Sequence, residues 1–184
     1  GKSTFINVLT GSLFASNGTI TFDKQDATQW SAVKLAREGL GRTFQNIRLF
    51  TSLTVLENVI SAVTVRTPSL SKREAEAKAY GWLSFLHLED KASTISSNLA
   101  YGDQRKLEIA RALALEPKFL LLDEPAAGMN AAETEALKEP LRKIVSDFGV
   151  GILLVEHDLK MVMELSDRIY VLNKGQIIAE GLPK

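Results

Sequence analysis

The chain of 184 residues contains no cysteine. That excludes a disulfide framework, a zinc–thiolate site and a thiol nucleophile, and it fits a reducing compartment. Net charge is absent as well: 22 Lys+Arg stand against 22 Asp+Glu. The chain therefore lacks the broad positive field with which nucleic-acid binders attract phosphate backbones, and no nucleic-acid partner is expected. No apolar run approaches the roughly 18 residues that a membrane-spanning helix needs. Internal repeats and low-complexity tracts are also missing. What remains, 45% apolar and 24% charged residues, is the composition of a globular domain. One further absence lies at the start: Gly1, not Met, opens the chain, and Gly1 to Leu9 read as the beginning of a helix with no strand or loop before it. A fragment of a longer domain is the expectation, with a second break after Gly181-Leu182-Pro183.

Segments of two periods alternate, which predicts an α/β domain with a mostly parallel sheet. A helix over Lys2 to Leu9 stopping at Gly11, a strand at Gly18 to Phe22, a helix over 31–38 and a strand at Gly41 to Gln45 come first. From Val55 to about Tyr101 the pattern turns helical, with Val55, Val59, Ala62 and Val63 at helical spacing and Ser71-Lys72-Arg73-Glu74 in capping-box form. The α/β pattern then resumes. It predicts a helix at Gln104 to Leu115 ended by Pro117, and an apolar strand at Phe119 to Leu122. A helix follows at Ala131 to Asp147, kinked by Pro140, then a buried strand at Gly151 to Val155. A short helix at Leu159 to Leu165 and a hairpin around Asn173-Lys174-Gly175 close the chain. The reading is one α/β core carrying one all-helical insert.

Four places carry chemistry. Gly1-Lys2-Ser3-Thr4 at a helix start matches the second half of a phosphate-binding loop, in which backbone N–H groups close around phosphates, Lys reaches the β and γ oxygens and a hydroxyl ligates Mg2+. Alone, the tetrad is equally an ordinary solvated helix N-terminus. Asp123-Glu124 places two carboxylates at the end of a buried strand, where a P-loop ATPase positions its metal. His157 repeats that placement at the end of the next strand, whereas His87 sits in the helical insert and reads as structural. Finally, Leu99-Ala100-Tyr101-Gly102-Asp103 forms a glycine-containing loop opening onto a helix N-terminus, an anion-binding arrangement.

Taken in order, these residues resemble the nucleotide-binding subunit of ABC transporters. Gly1 to Thr4 look like the tail of the Walker A motif, Gln45 the Q-loop glutamine and Leu99 to Asp103 the signature. Phe119 to Asp123 look like Walker B followed by the catalytic carboxylate Glu124, Ala126 to Asn130 the D-loop, and His157 the switch histidine. Arg42 to Phe50, Tyr101 to Arg105 and Pro125 to Asn130 look like the branched-chain amino acid transporter branch. The implied fold is a P-loop NTPase core, 1–50 and 102–184, with a helical subdomain, 51–101, ending in the signature loop. A segment ahead of Gly1 is implied too, carrying the aromatic that stacks on adenine.

The resemblance implies ATP and Mg2+ as cofactors. ATP would be sandwiched between two subunits, the Lys2 loop of one facing residues 99–103 of the other. Lys2 would neutralise phosphate charge, Ser3 and Gln45 would ligate Mg2+, and Asp123 would hold it through water. Glu124 would act as general base and His157 would contact the γ-phosphate. The groove at Gln45 to Phe50 would receive a permease helix at the cytoplasmic face of the membrane, with a substrate-binding protein engaged indirectly. Two departures from the family's usual pattern stand out: Ala100 lacks the signature hydroxyl, and Asn130 replaces the D-loop aspartate. Three rivals are a chromosome-maintenance ATPase, which would carry long coiled coils between Gln45 and the signature, a decayed binding module, and a lipid or lipopolysaccharide exporter ATPase. The absence of a heptad run in 46–98 argues against the first, and the intact Lys2, Gln45, Asp123, Glu124 and His157 argue against the second.

Overall fold

A computed structural model describes residues 1–183, so the break expected after Pro183 lies outside the described residues. Helix α1 (Lys2–Leu9) leads to a hairpin of β1 (Thr21–Phe22) and β2 (Gln25–Asp26), then α2 (Ala32–Glu38) and β3 (Leu40–Arg42). Helices α3 (Val55–Arg66) and α4 (Lys72–Phe85) follow, then two single 3-10 turns, then α5 (Tyr101–Ala114). Strand β4 (Phe119–Asp123), α6 (Ala131–Ser146), β5 (Gly151–Val155), α7 (Leu159–Leu165), β6 (Ile169–Asn173) and β7 (Gln176–Gly181) complete the chain.

Strands β3, β4 and β5 form a parallel sheet in that order. The apolar run at its centre explains the arrangement: Leu120, Leu121 and Leu122 are each 1% exposed or less, so both faces of β4 are covered. Each buried leucine contributes about 2 kcal/mol of transfer free energy, which no exposed register of the strand would recover. Hairpin β6–β7 pairs separately, with a bulge at Val171/Leu172 and a tight turn in which Lys174 and Gly175 both take positive φ.

The helical region begins with two capping boxes, Thr54 with Glu57 and Ser71 with Glu74. One apolar cluster runs unbroken from Val55, Val59 and Leu83 through Leu107 and Ile109 to Leu120 and Leu137, so helices and sheet share a core. Helix α5 packs against α3 and α4 on one side and β3 on the other. Lys138, almost fully buried, ties α6 to α7 by reaching Glu135 and Glu164, each at 2.6 Å.

Several expected boundaries move. The first strand shortens to Thr21–Phe22 and acquires an unforeseen partner, β2, because Asp23 and Lys24 adopt the left-handed φ values of a two-residue hairpin turn. Strand β3 ends at Arg42 and not at Gln45, and β4 extends one residue to Asp123. Helix α6 continues through Pro140, whose ring is buried, and ends one residue earlier than expected. Helix α5 begins three residues sooner than expected, a change that alters the site. Among the described residues, no helix is long and apolar enough to cross a membrane.

Candidate active site

Three strand ends meet at one edge of the sheet. Because β3, β4 and β5 run parallel, with Arg42 opposite Leu121 and Asp123 opposite Val155, the chain leaves all three on the same side. That is the carboxyl edge, where ligands of open α/β sheets collect. Thr43 to Gln45 leave β3 there, Glu124 leaves β4, and Glu156-His157 leave β5.

Asp123 is 7% exposed, and its N–H lies 3.4 Å from Thr43 Oγ1. Burial, and after it the adjacent Glu124 charge, raises the Asp123 carboxyl above the ordinary aspartate value, while Arg42, Lys2 and Arg105 pull it back. Two neighbouring carboxylates, one of them already penalised for its charge, make a place that a cation would relieve. Glu124 takes φ 50°, a left-handed conformation that few non-glycine residues hold. Its N–H still donates to Val155 O at 2.8 Å, so the ladder runs one residue past the strand as the chain turns. The turn leaves Glu124 Oε2 3.5 Å from Gln45 Nε2 and Oε1 3.9 Å from His157 Nδ1. The His157 side chain is 69% exposed.

Gly1 to Thr4 lie exposed at the start of α1, where Gly1 offers no side-chain cap and the first-turn N–H groups stay open toward solvent. The Lys2 charge is close enough to act on Asp123. Lys2 is thus the residue of this tetrad that the structure ties to the sheet edge.

Residues 99–103 need correction. Only Leu99 and Ala100 lie outside the helix, since α5 already begins at Tyr101 with Ala100 as its N-cap, and Gly102 is buried. Gln104 stabilises the early start, its N–H donating to Ala100 O and its Nε2 to Leu99 O, both at 3.0 Å. With alanine at the N-cap, no side chain occupies the first-turn N–H groups. Asp103 is engaged by Lys91 and, at 3.6 Å, by Lys106, so its charge is balanced within the chain. Among the described residues, no hydrogen bond or ion pair joins 99–103 to Lys2, Ser3, Asp123, Glu124 or His157.

The segment 126–130 sits against this helix start. A Cβ on Gly128 would lie 2.7 Å from Tyr101 Cε1, and Gly128 has φ 79°, so glycine is required twice over. A Cβ on Gly102 would lie 2.8 Å from Glu133 Oε1. Asn130, singled out for its missing charge, caps α6: it accepts from Glu133 N–H at 3.0 Å and donates its own N–H back at 2.9 Å. Asn and Asp serve equally well at that position. His87, set aside as structural, holds the left-handed residue that ends α4.

Sequence reasoning passed over two groups. Glu156, its side chain 1% exposed, accepts the Ala126 N–H at 3.0 Å and the His157 N–H at 3.1 Å, fixing the turns after β4 and β5 together. Nothing beside it in the sequence distinguishes it from a solvated turn carboxylate. Arg42 pins the end of α1 to β3 by donating to Thr10 Oγ1 at 2.6 Å and Asn7 Oδ1 at 3.2 Å.

A parallel sheet with acidic and histidine residues at its carboxyl edge, facing a Gly-Lys-Ser-Thr helix start, is the architecture of a P-loop nucleoside triphosphatase. Comparison with known proteins narrows it. The family model described as ABC transporter matches residues 1–127. The high-affinity branched-chain amino acid transport ATP-binding protein LivG of Escherichia coli strain K12 is 43% identical, the match covering the whole of this chain and 77% of LivG. The corresponding protein BraF of Pseudomonas aeruginosa is 41% identical over the same shares. Among solved structures, a dimeric ATP-binding cassette in a post-hydrolysis state with ADP and Pi superposes with TM-score 0.89 at 27% identity, covering all of this chain and 81% of that one. The chain belongs to the ABC transporter family.

Proposed function

We propose that this chain is the ATP-hydrolysing subunit of an importer of branched-chain amino acids, acting as one of a pair of such subunits. The observation that carries the reading is the meeting of Gln45, Glu124 and His157 beside the buried Asp123, within reach of the Lys2 charge. The identities of 41–43% to LivG and BraF support the branch.

Lys2 and the open first-turn N–H groups of α1 bind the β and γ phosphates. Ser3, Gln45 and Asp123 suit Mg2+, which takes oxygen donors, retains water and shares phosphate oxygens. Bound there, the ion supplies charge neutralisation to the transferring phosphoryl group. Glu124 takes the proton of the attacking water, and His157 contacts the γ-phosphate and orients that water. The Leu99 to Asp103 segment of the second subunit closes over the nucleotide. Since Ala100 brings no hydroxyl, the contact comes from the N–H groups at the start of α5. The chain divides into a nucleotide core, 1–50 and 102–184, and a helical subdomain, 51–101. The groove at Gln45 to Phe50 receives a permease helix at the cytoplasmic membrane face, and a substrate-binding protein acts on the assembly through the permease.

In the complete protein, Glu124→Gln is expected to bind ATP and accumulate as a closed dimer while hydrolysis falls by about 10²–10⁴, the range for loss of a general base. Phosphate release at the parental rate would overturn the assignment.

A further inference from the structure

Helix α5 carries Arg105, Glu108 and Arg111 at three-residue steps, and the first two are 1% and 5% exposed. A buried ion pair contributes little to stability, because desolvating both charges offsets their attraction. This one, 3.2 Å long, faces the stretch after β3. Arg105 Nη1 donates to Phe44 O at 2.6 Å, and Nη2 donates to Gln45 O and, at 3.2 Å, to Tyr101 Oη. Glu108 Oε1 accepts the Phe44 N–H at 3.2 Å. Arg111 donates to Arg48 O and lies 4.4 Å over the Phe50 ring. Among the described residues, 44–49 make no backbone-to-backbone hydrogen bond. Side chains of α5 stand in for the missing ladder.

We infer that Arg105 and Glu108, seconded by Arg111, are positioning residues for Gln45. They hold the main chain from which its side chain reaches Glu124, and they join that segment rigidly to the helix whose start carries residues 99–103. The inference rests on the reading of Gln45 as a magnesium ligand. A planar guanidinium forks onto two consecutive carbonyls, which fixes the direction of the chain as well as its distance.

The test uses the complete protein with the Arg105→Met/Glu108→Met double variant, which removes both charges and leaves neither orphaned. Its denaturation midpoint is expected to fall modestly, because Phe44 and Gln45 main-chain groups lose their side-chain partners, while its magnesium-free ATP binding stays unchanged. The Mg2+ concentration for half-maximal hydrolysis should rise about 10- to 100-fold, the usual effect of losing a group that orients a metal ligand. Amide exchange at 44–48 should quicken while β4 is unaffected. A purely structural pair would move stability and leave the magnesium requirement alone, and parental magnesium dependence in the double variant overturns the inference. Gln45→Ala is the control: if it too behaves as the parent, the Gln45 reading falls and takes the inference with it. If Gln45→Ala is defective and the double variant is not, the inference alone fails. Should the double variant not fold, Arg105→Lys, which keeps the charge and loses the fork, is expected to shift the magnesium requirement in the same direction, and parental dependence there likewise overturns the inference.

Discussion

The edge where β4 and β5 end and the face where α5 begins are both candidate phosphate-contacting regions, yet they are built in opposite ways. At the sheet edge, functional groups are held against their own preference. Asp123 is buried beside another carboxylate, and Glu124 sits at φ 50°. At the helix face, every conspicuous group is satisfied locally. Asn130 and Glu133 cap each other, Asp103 is paired with lysines, and Tyr101 covers Gly128. The contrast is one of charge: the sheet edge crowds two carboxylates, one of them buried, whereas the helix face leaves no conspicuous charge without a partner. That face, offering backbone N–H groups, needs only accurate packing.

Substitutions at the two regions should therefore move stability in opposite directions. The largest effect is expected at the helix face, where Gly128→Val combines a disfavoured φ with a clash against Tyr101 and should cost about 2–4 kcal/mol in urea denaturation. Little loss there would break the comparison from one side. At the sheet edge, Glu124→Gly relaxes the left-handed residue and should raise stability by about 0.5–1 kcal/mol, while abolishing hydrolysis. A destabilised Glu124→Gly would break it from the other.

The smallest effect concerns pH. Because the folded Asp123 carboxyl titrates above its ordinary value of 3.8, the native state holds that proton more tightly than the unfolded chain. Its contribution to stability thus declines as pH rises from the ordinary value through the folded one. Asp123→Asn should remove this decline, flattening the denaturation midpoint in the pH range just above the ordinary aspartate value. A midpoint profile identical to the parent's would show that the Asp123 carboxyl is not raised in the folded protein.

Much of this was legible in the residues. Strand β4 is a run of leucines with no alternative use, the two capping boxes of Thr54 and Ser71 announce their helices, and Asp123, Glu124 and His157 follow apolar strands closely enough to be placed by inspection. Legibility failed where a residue's role depends on a distant partner. Glu156 reads as a turn carboxylate until its contact with Ala126 N–H, thirty positions earlier, is seen. Tyr101 to Asp103 read as a loop because glycine and aspartate usually end or begin helices, and burial of Gly102 against Glu133 overrode that preference.

The amino-acid order by itself determined what depends on neighbours along the chain: the helical and strand periods, the caps, the apolar runs that must be buried, and which chemically able residues follow each strand. Only the tertiary structure decided what depends on neighbours in space. Parallel register brought three strand ends to one edge, turned Glu124 into the left-handed region between Gln45 and His157, and set Arg105 and Glu108 beneath the Gln45 main chain. The division has a physical cause. Local preference is set by backbone sterics and nearby hydrogen bonds, whereas strained and buried charged groups exist only because the packing of the whole core holds them there.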